Sequence, residues 1–163
     1  MRVYGKEFLK TFLTGATKVA IMCLGNELLG DDAAGLIVCN ILLRKISSKK
    51  LLVFLAQSSP EAYLFKIIEN DQISHVIIVD AVDAGLRPGE IAIVRPEDFS
   101  EETVSTHRIS LSLITNLLKS HGKKILILGI QPKYVVLGEK RSEEVLKAVK
   151  KLASDLVECL SDL

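Results

Sequence analysis

The sequence predicts a three-layered α/β fold: a mostly parallel sheet of about five strands, one of them antiparallel, with helices on both faces. Three observations carry that expectation. Short apolar runs alternate along the chain with longer segments of helical periodicity, the pattern left by crossover-connected parallel strands. Runs such as residues 18–24 and 75–80 are apolar at nearly every position, as strands covered on both faces are. The first of these runs passes through a glycine-bracketed turn straight into a helix, the opening unit of an open α/β sheet.

Taken in order, residues 1–18 carry Lys6, Glu7 and Lys10 among apolar positions and lack the continuous apolar stretch of a signal peptide. They predict a short amphipathic helix. Lys18-Val19-Ala20-Ile21-Met22-Cys23-Leu24 predicts the first buried strand, and residues 32 to about 44, apolar on nearly every face, predict a core helix. Residues 51–56 form the second strand. Ser59-Pro60-Glu61 then marks a helix start, with Ser59 as cap and Pro60 in the first turn, directing Ala62, Phe65, Ile67 and Ile68 at the sheet. His75-Val76-Ile77-Ile78-Val79-Asp80 is the third strand, ending on a carboxylate.

The span from Asp83 to Gly89 is turn-like and too short for a crossover helix, so residues 90–94 are expected to pair antiparallel. A polar loop runs through Thr106. A helix from about Ser110 follows, with Leu111, Ile114, Leu117 and Leu118 at helical spacing. Residues 124–130 give the last strong strand. Residues 142–160 give a final helix with Val145, Leu146, Val149, Leu152, Leu156 and Leu160 on one face.

A chain of 163 residues suits one domain with a sizeable core, residues 1–163, on which residues 1–17 pack as an N-terminal extension. A hydrophobic fraction of 48% and a charged fraction of 25% are ordinary for a soluble globular protein. The net charge of +1 gives no electrostatic case for nucleic acid or an anionic membrane surface. No apolar stretch is long enough to span a bilayer. Cys23, Cys39 and Cys159 are odd in number and unrelated in spacing, and all lie in apolar segments. They suggest buried thiols of a cytoplasmic protein rather than a disulfide framework or zinc knuckle.

The chemistry concentrates in Leu24-Gly25-Asn26-Glu27-Leu28-Leu29-Gly30-Asp31-Asp32-Ala33-Ala34-Gly35. Gly25 and Gly30 permit backbone angles closed to other residues and let a ligand come close. One aspartate satisfies a helix N-terminus, so Asp31 is assigned to capping and Asp32 is held as the functional candidate. Asp80 ends the third strand. If that strand lies beside the first, Asp32 and Asp80 project into one crevice at the topological switch point, although strand-end aspartates commonly just cap loops. Asp83, followed by Gly85, reads as such a turn residue.

His107, in Ser105-Thr106-His107, carries modest weight as a lone imidazole. His75 and His121 read as surface residues. Two carboxylates and one imidazole could form an open site for a borderline metal, but their spacing is not specific. There is no His-Glu-x-x-His or Gly-x-Ser-x-Gly motif. The absence of Gly-x-Gly-x-x-Gly spacing and of a Walker lysine, with acids where phosphate would sit, argues against a nucleotide or flavin binder.

These residues resemble the signature of the hydrogenase maturation endopeptidases, which trim the C-terminus of the large subunit of nickel-iron hydrogenases. That family has a Gly-Asn turn, an apolar pair and then Asp followed by Asp or Glu after its first strand. The similarity runs from about residue 18 to 136. Gly85-Leu86-Arg87-Pro88-Gly89-Glu90-Ile91 and Leu128-Gly129-Ile130-Gln131-Pro132 resemble the subgroup serving formate-hydrogenlyase-type enzymes.

Two positions depart from the pattern: Ala33 stands where the family usually has Gly, and residues 57–62 keep part of a glycine-rich turn. The resemblance implies that Asp32, Asp80 and His107 are both the metal ligands and the catalytic residues of an aspartic-type endopeptidase. The metal is nickel supplied by the substrate precursor, with Zn or Cd able to occupy the same site. The implied partner is a large-subunit precursor, with no nucleic acid, no membrane insertion and the chain itself a monomer. With no recognisable nucleophile, a water-based cut with a carboxylate as candidate base fits. A non-catalytic metal-binding or chaperone module would need the same three residues. Gln131 suits either a peptide-binding position or a structural turn.

Overall fold

The computed structural model describes residues 2–95, 98, 108–161 and 163. Along the chain run β1 (Arg2–Val3), α1 (Lys6–Leu13), β2 (Val19–Leu24), a 3-10 turn (Gly30–Ala33), α2 (Ala34–Lys45), β3 (Leu51–Gln57) and α3 (Glu61–Ile68). They are followed by β4 (His75–Ala81), β5 (Ile91–Val94), α4 (Arg108–Ser120), β6 (Lys124–Ile130) and α5 (Glu143–Ser161). The strands form one sheet in the order β1-β5-β6-β4-β2-β3. β2 pairs parallel with β3 and β4, and β4 with β6. β5 pairs antiparallel with both β6 and β1, so it alone runs against the rest.

The expected three layers and single reversed strand are both present. The sixth strand, β1, has two residues, too few to show a periodicity, and Tyr4 continues its edge by donating N–H to the Ile91 carbonyl at 2.9 Å.

The alternation along each strand sorts the core into two clusters. Val19, Ile21 and Cys23 of β2 and Ile77 and Val79 of β4 face α1, α2 and α5. Ala20, Met22 and Leu24, with Val76 and Ile78, face α3 and α4. This period of two explains why the central strands read as unbroken apolar runs: both faces are covered. Each fully buried large aliphatic contributes about 1.5–3 kcal/mol, an upper estimate against an extended unfolded chain. The N-terminal segment packs on α5: Leu9 is fully buried, the Tyr4 hydroxyl donates to Asp155 Oδ2 at 3.2 Å, and Lys6 pairs with Glu158. Burial and the Asp155 carboxylate together push the Tyr4 phenol well above its usual range.

Three local expectations need correction. In α3 the buried positions are Leu64 and Ile67, with Tyr63 and Ile68 half-buried, while Ala62 and Phe65 point outward. The contact face is centred on Leu64, one residue earlier in phase than Phe65, which is 68% exposed. Ser59 makes no side-chain cap: the N-cap is Pro60, and the Ser59 carbonyl accepts from Ala62 N–H. His75 is buried rather than superficial, because β4 is central and its first residue lies edge-on under the Phe12 ring, centroids 5.1 Å apart. Among the described residues no helix is long and apolar enough to cross a membrane.

Candidate functional site

β2 feeds the turn that carries the acidic pair. Gly25 leaves the strand at φ +132°, and a Cβ there would collide with the Asp32 carbonyl, so the turn folds back onto its own start. Gly35, in the first turn of α2, would place a Cβ 2.5 Å from the Val79 carbonyl and against that of Leu24. Helix α2 therefore starts in direct backbone contact with the ends of both β2 and β4, an approach that a side chain would block. Between the two glycines, Asn26 Oδ1 accepts from Leu28 N–H at 2.9 Å and Asp32 N–H donates to the Leu29 carbonyl at 3.1 Å.

Asp31 does not cap its own helix. The N-caps of both the 3-10 turn and α2 lack a side-chain hydrogen bond. The Asp31 carboxylate, fully buried, instead reaches across the fold to the segment before α5. It accepts from Ser142 N–H at 2.7 Å, Ser142 Oγ at 2.8 Å, Lys133 N–H at 2.9 Å and, more weakly, Tyr134 N–H at 3.4 Å. In return Asp31 N–H donates to the Tyr134 carbonyl at 3.3 Å. Asp31 is thus structural, as expected, but it fastens the 133–142 segment to the turn rather than capping α2.

Asp32 and Asp80 arrive from neighbouring elements. β2 and β4 are adjacent and in parallel register through Cys23 opposite Val79, and Asp80 is the next residue of β4. The 3-10 turn with Asp32 packs against β4. Both carboxylates are buried, at 2% and 0% exposure, at the C-terminal edge of the sheet, where strand order reverses and open α/β folds bind ligands. Asp80 Oδ1 accepts the N–H of Ala81 at 2.9 Å. His107 lies outside the described residues. Among the described residues no three His, Cys, Asp or Glu side chains are grouped to hold a metal ion, so a metal at this edge would need donors beyond Asp32 and Asp80.

Gln131 belongs to a turn. Its Oε1 accepts from Ala84 N–H at 2.8 Å and Leu86 N–H at 3.1 Å, while Nε2 donates to Asp83 Oδ1 at 3.0 Å and the Pro132 carbonyl at 3.2 Å. Both ends of the amide are engaged in holding residues 83–86 over the end of β6. Asp83, which also accepts from Gly85 N–H, is the turn residue its spacing implied.

The cysteines correct a further expectation: Cys23 of β2 and Cys39 of α2 form a disulfide, with Cα atoms 6.1 Å apart, leaving Cys159 as a buried free thiol. The close start of α2 on β2 lays the helix along the strand and brings positions 16 apart in sequence into contact. No linear spacing rule encodes that pairing.

A three-layered α/β sheet with two buried carboxylates at its switch point defines the class. Residues 41–159 match the sequence profile of the hydrogenase maturation proteases. Over 166 residues, 97% of each chain, the sequence is 34% identical to a putative hydrogenase maturation protease of Methanocaldococcus jannaschii. It is 35% identical over 119 residues to the hydrogenase 3 maturation protease of Escherichia coli K12, covering 71% of this chain and 73% of that one. The crystal structure of the NiFe hydrogenase maturation protease HycI from Thermococcus kodakarensis KOD1 superposes with a TM-score of 0.82 at 32% identity, covering 94% of this chain and 99% of that one. The chain belongs to the hydrogenase maturation protease family.

Proposed function

We propose that this chain is an endopeptidase that removes the C-terminal extension of a NiFe-hydrogenase large-subunit precursor, and that it acts after nickel has been inserted. Family membership supports the proteolytic reading. The observation that carries the site is the placement of Asp32: the Gly25 and Gly35 contacts clamp its turn against the ends of β2 and β4, the latter bearing Asp80.

On this reading the nickel is part of the substrate. Asp32 and Asp80 supply oxygen donors to it from two neighbouring elements, with His107 as the third ligand. Holding the precursor by its own metal fixes the peptide bond beside the site, and such positioning is worth roughly 7–11 kcal/mol of barrier in favourable cases. Water then attacks the peptide carbonyl carbon with one of the two carboxylates taking its proton, and that proton passes to the departing amine nitrogen as the C–N bond breaks.

The test is incubation of the purified chain with nickel-loaded and nickel-free large-subunit precursors, followed by intact mass. Loss of the extension from the loaded precursor alone, abolished in Asp32→Asn, is the expected result. Binding of the loaded precursor without a cut would instead make the chain a metal-recognising chaperone that uses the same residues as ligands.

A further inference from the structure

Gln57, the last residue of β3, adopts φ +50°, and it is the one non-glycine at positive φ among the described residues. A left-handed conformation is costly for a side-chain-bearing residue and is kept where something else requires it. The backbone requirement is visible. The β2–β3 ladder slips between Cys23 and Leu24, so that Leu24 pairs with Gln57 and Ala56 is passed over. The Gln57 carbonyl then accepts the N–H of Gly25 at 3.1 Å, joining the end of β3 to the turn that folds onto Asp32. A glycine would meet that requirement without strain, so the backbone does not account for the side chain.

Nor does the interior of the fold account for it. The Gln57 side chain is exposed and hydrogen-bonds to no described residue. It lines an open cavity of about 260 Å³ with Gly25, Asn26, Glu27, Leu28 and Ser58, on the same sheet edge as Asp32 and Asp80. β3 is the outermost strand on that side, so a ligand reaches the cavity without crossing the sheet. A carboxamide both donates and accepts, matching the alternating C=O and N–H of an extended main chain. The exposed Leu28 beside it offers an apolar surface for a side chain, while Glu27 disfavours an anionic ligand.

We infer that Gln57 is a substrate-positioning residue, whose amide binds the main chain of the peptide next to the scissile bond in the cavity between the Gly25–Leu28 turn and the end of β3. The inference rests on the endopeptidase reading. It assigns the peptide chain flanking the cut, rather than the metal, to this cavity.

The experiment compares wild type, Gln57→Gly and Gln57→Asn. Thermal unfolding, calorimetric binding of the nickel-loaded precursor and steady-state cleavage are measured for each. Gln57→Gly relieves the strain and removes the amide. Its Tm is expected to equal or exceed that of wild type, with precursor Kd and KM raised about tenfold and kcat little changed, as the loss of one or two peptide hydrogen bonds implies. Gln57→Asn keeps an amide on a residue that tolerates this backbone, and it is expected to recover part of the affinity.

Wild-type affinity and KM in Gln57→Gly would overturn the inference, as would activity lost in step with Tm, which marks a structural residue. If wild type binds the precursor without cutting it, the endopeptidase reading falls, while a weakened Kd in Gln57→Gly still upholds the contact. If wild type does not bind the precursor at all, both fall.

Discussion

Replacing Asp31 by alanine tests whether the 133–142 segment is held to the site turn by one carboxylate. The side chain is fully buried and accepts three hydrogen bonds between 2.7 and 2.9 Å, from Ser142 N–H, Ser142 Oγ and Lys133 N–H. Hydrogen bonds to a charged group are each worth about 1.5–3 kcal/mol. Ser142 is itself buried, so its N–H would lose its partner without gaining water. Because the three bonds share one acceptor group their losses do not add, and about 3–5 kcal/mol is expected in all. Against a typical total of roughly 5–15 kcal/mol that is a large fraction.

For a chain of this length such a loss lowers Tm by about 10 °C. Urea unfolding followed by far-UV circular dichroism measures it, with an unchanged m-value showing that the native and unfolded states stay comparable. Ser142→Ala removes one of the same bonds, and the double variant closes a cycle. A loss below about 1 kcal/mol in Asp31→Ala, or additivity of the two changes, would refute the account.

Three further predictions concern the two central strands and what packs on them. Gly25→Ala drives a Cβ into the Asp32 carbonyl and should abolish precursor cleavage while the chain stays folded; wild-type turnover by intact mass would contradict the packing described for the turn. Under non-reducing conditions, alkylation after denaturation should label one thiol, and three after reduction; Cys39→Ala should lose about 3 kcal/mol, the value for a loop of about this length. Burial of His75, assisted by the Lys124 ammonium, holds its imidazole below the usual value, so the folded chain resists protonating it. The unfolded state then binds more protons, and stability should be full above about pH 6.5 and decline below it, by at most about 1.4 kcal/mol per pH unit. His75→Gln should flatten that part of the pH–stability profile, and an unchanged slope would count against it.

What the sequence made legible was whatever depends on neighbours along the chain. Central strands such as β4 announce themselves because both faces are covered, and the Asp at the end of such a run marks the sheet edge whatever lies beyond it. Gly25 shapes the turn through a contact close by in the chain, with the Asp32 carbonyl, whereas Gly35 also meets Val79 of β4. Apart from the local Ser59 cap, what the sequence does not show depends on packing away from the residue itself. β1 exists because β5 has a free edge, His75 is covered by Phe12 of α1, and the Cys23–Cys39 bond needs α2 laid along β2. In α3 the apolar residues surround enough of the helix that periodicity left the phase open by one position, and the sheet selected Leu64 over Phe65.

The acidic pair shows how a local argument can pick out the structural residue, Asp31, by an incomplete route. A helix start needs a negative acceptor, which on sequence assigns one carboxylate to structure and leaves the second as the candidate for chemistry. In the fold α2 starts from a 3-10 turn and takes no side-chain cap, so that need does not arise. Asp31 is instead engaged by donors more than a hundred residues away, a demand that no inspection of residues 24–35 could reveal. Those donors fix which of the two adjacent acids is structural. Exchanging their roles would require the turn to rotate by one residue, pulling the Asp32 carbonyl off Gly25 and Asp31 off Ser142 together. The Gly25 approach and the Ser142 clamp thus hold the turn in one register from both sides, and in that register Asp31 is the structural acid.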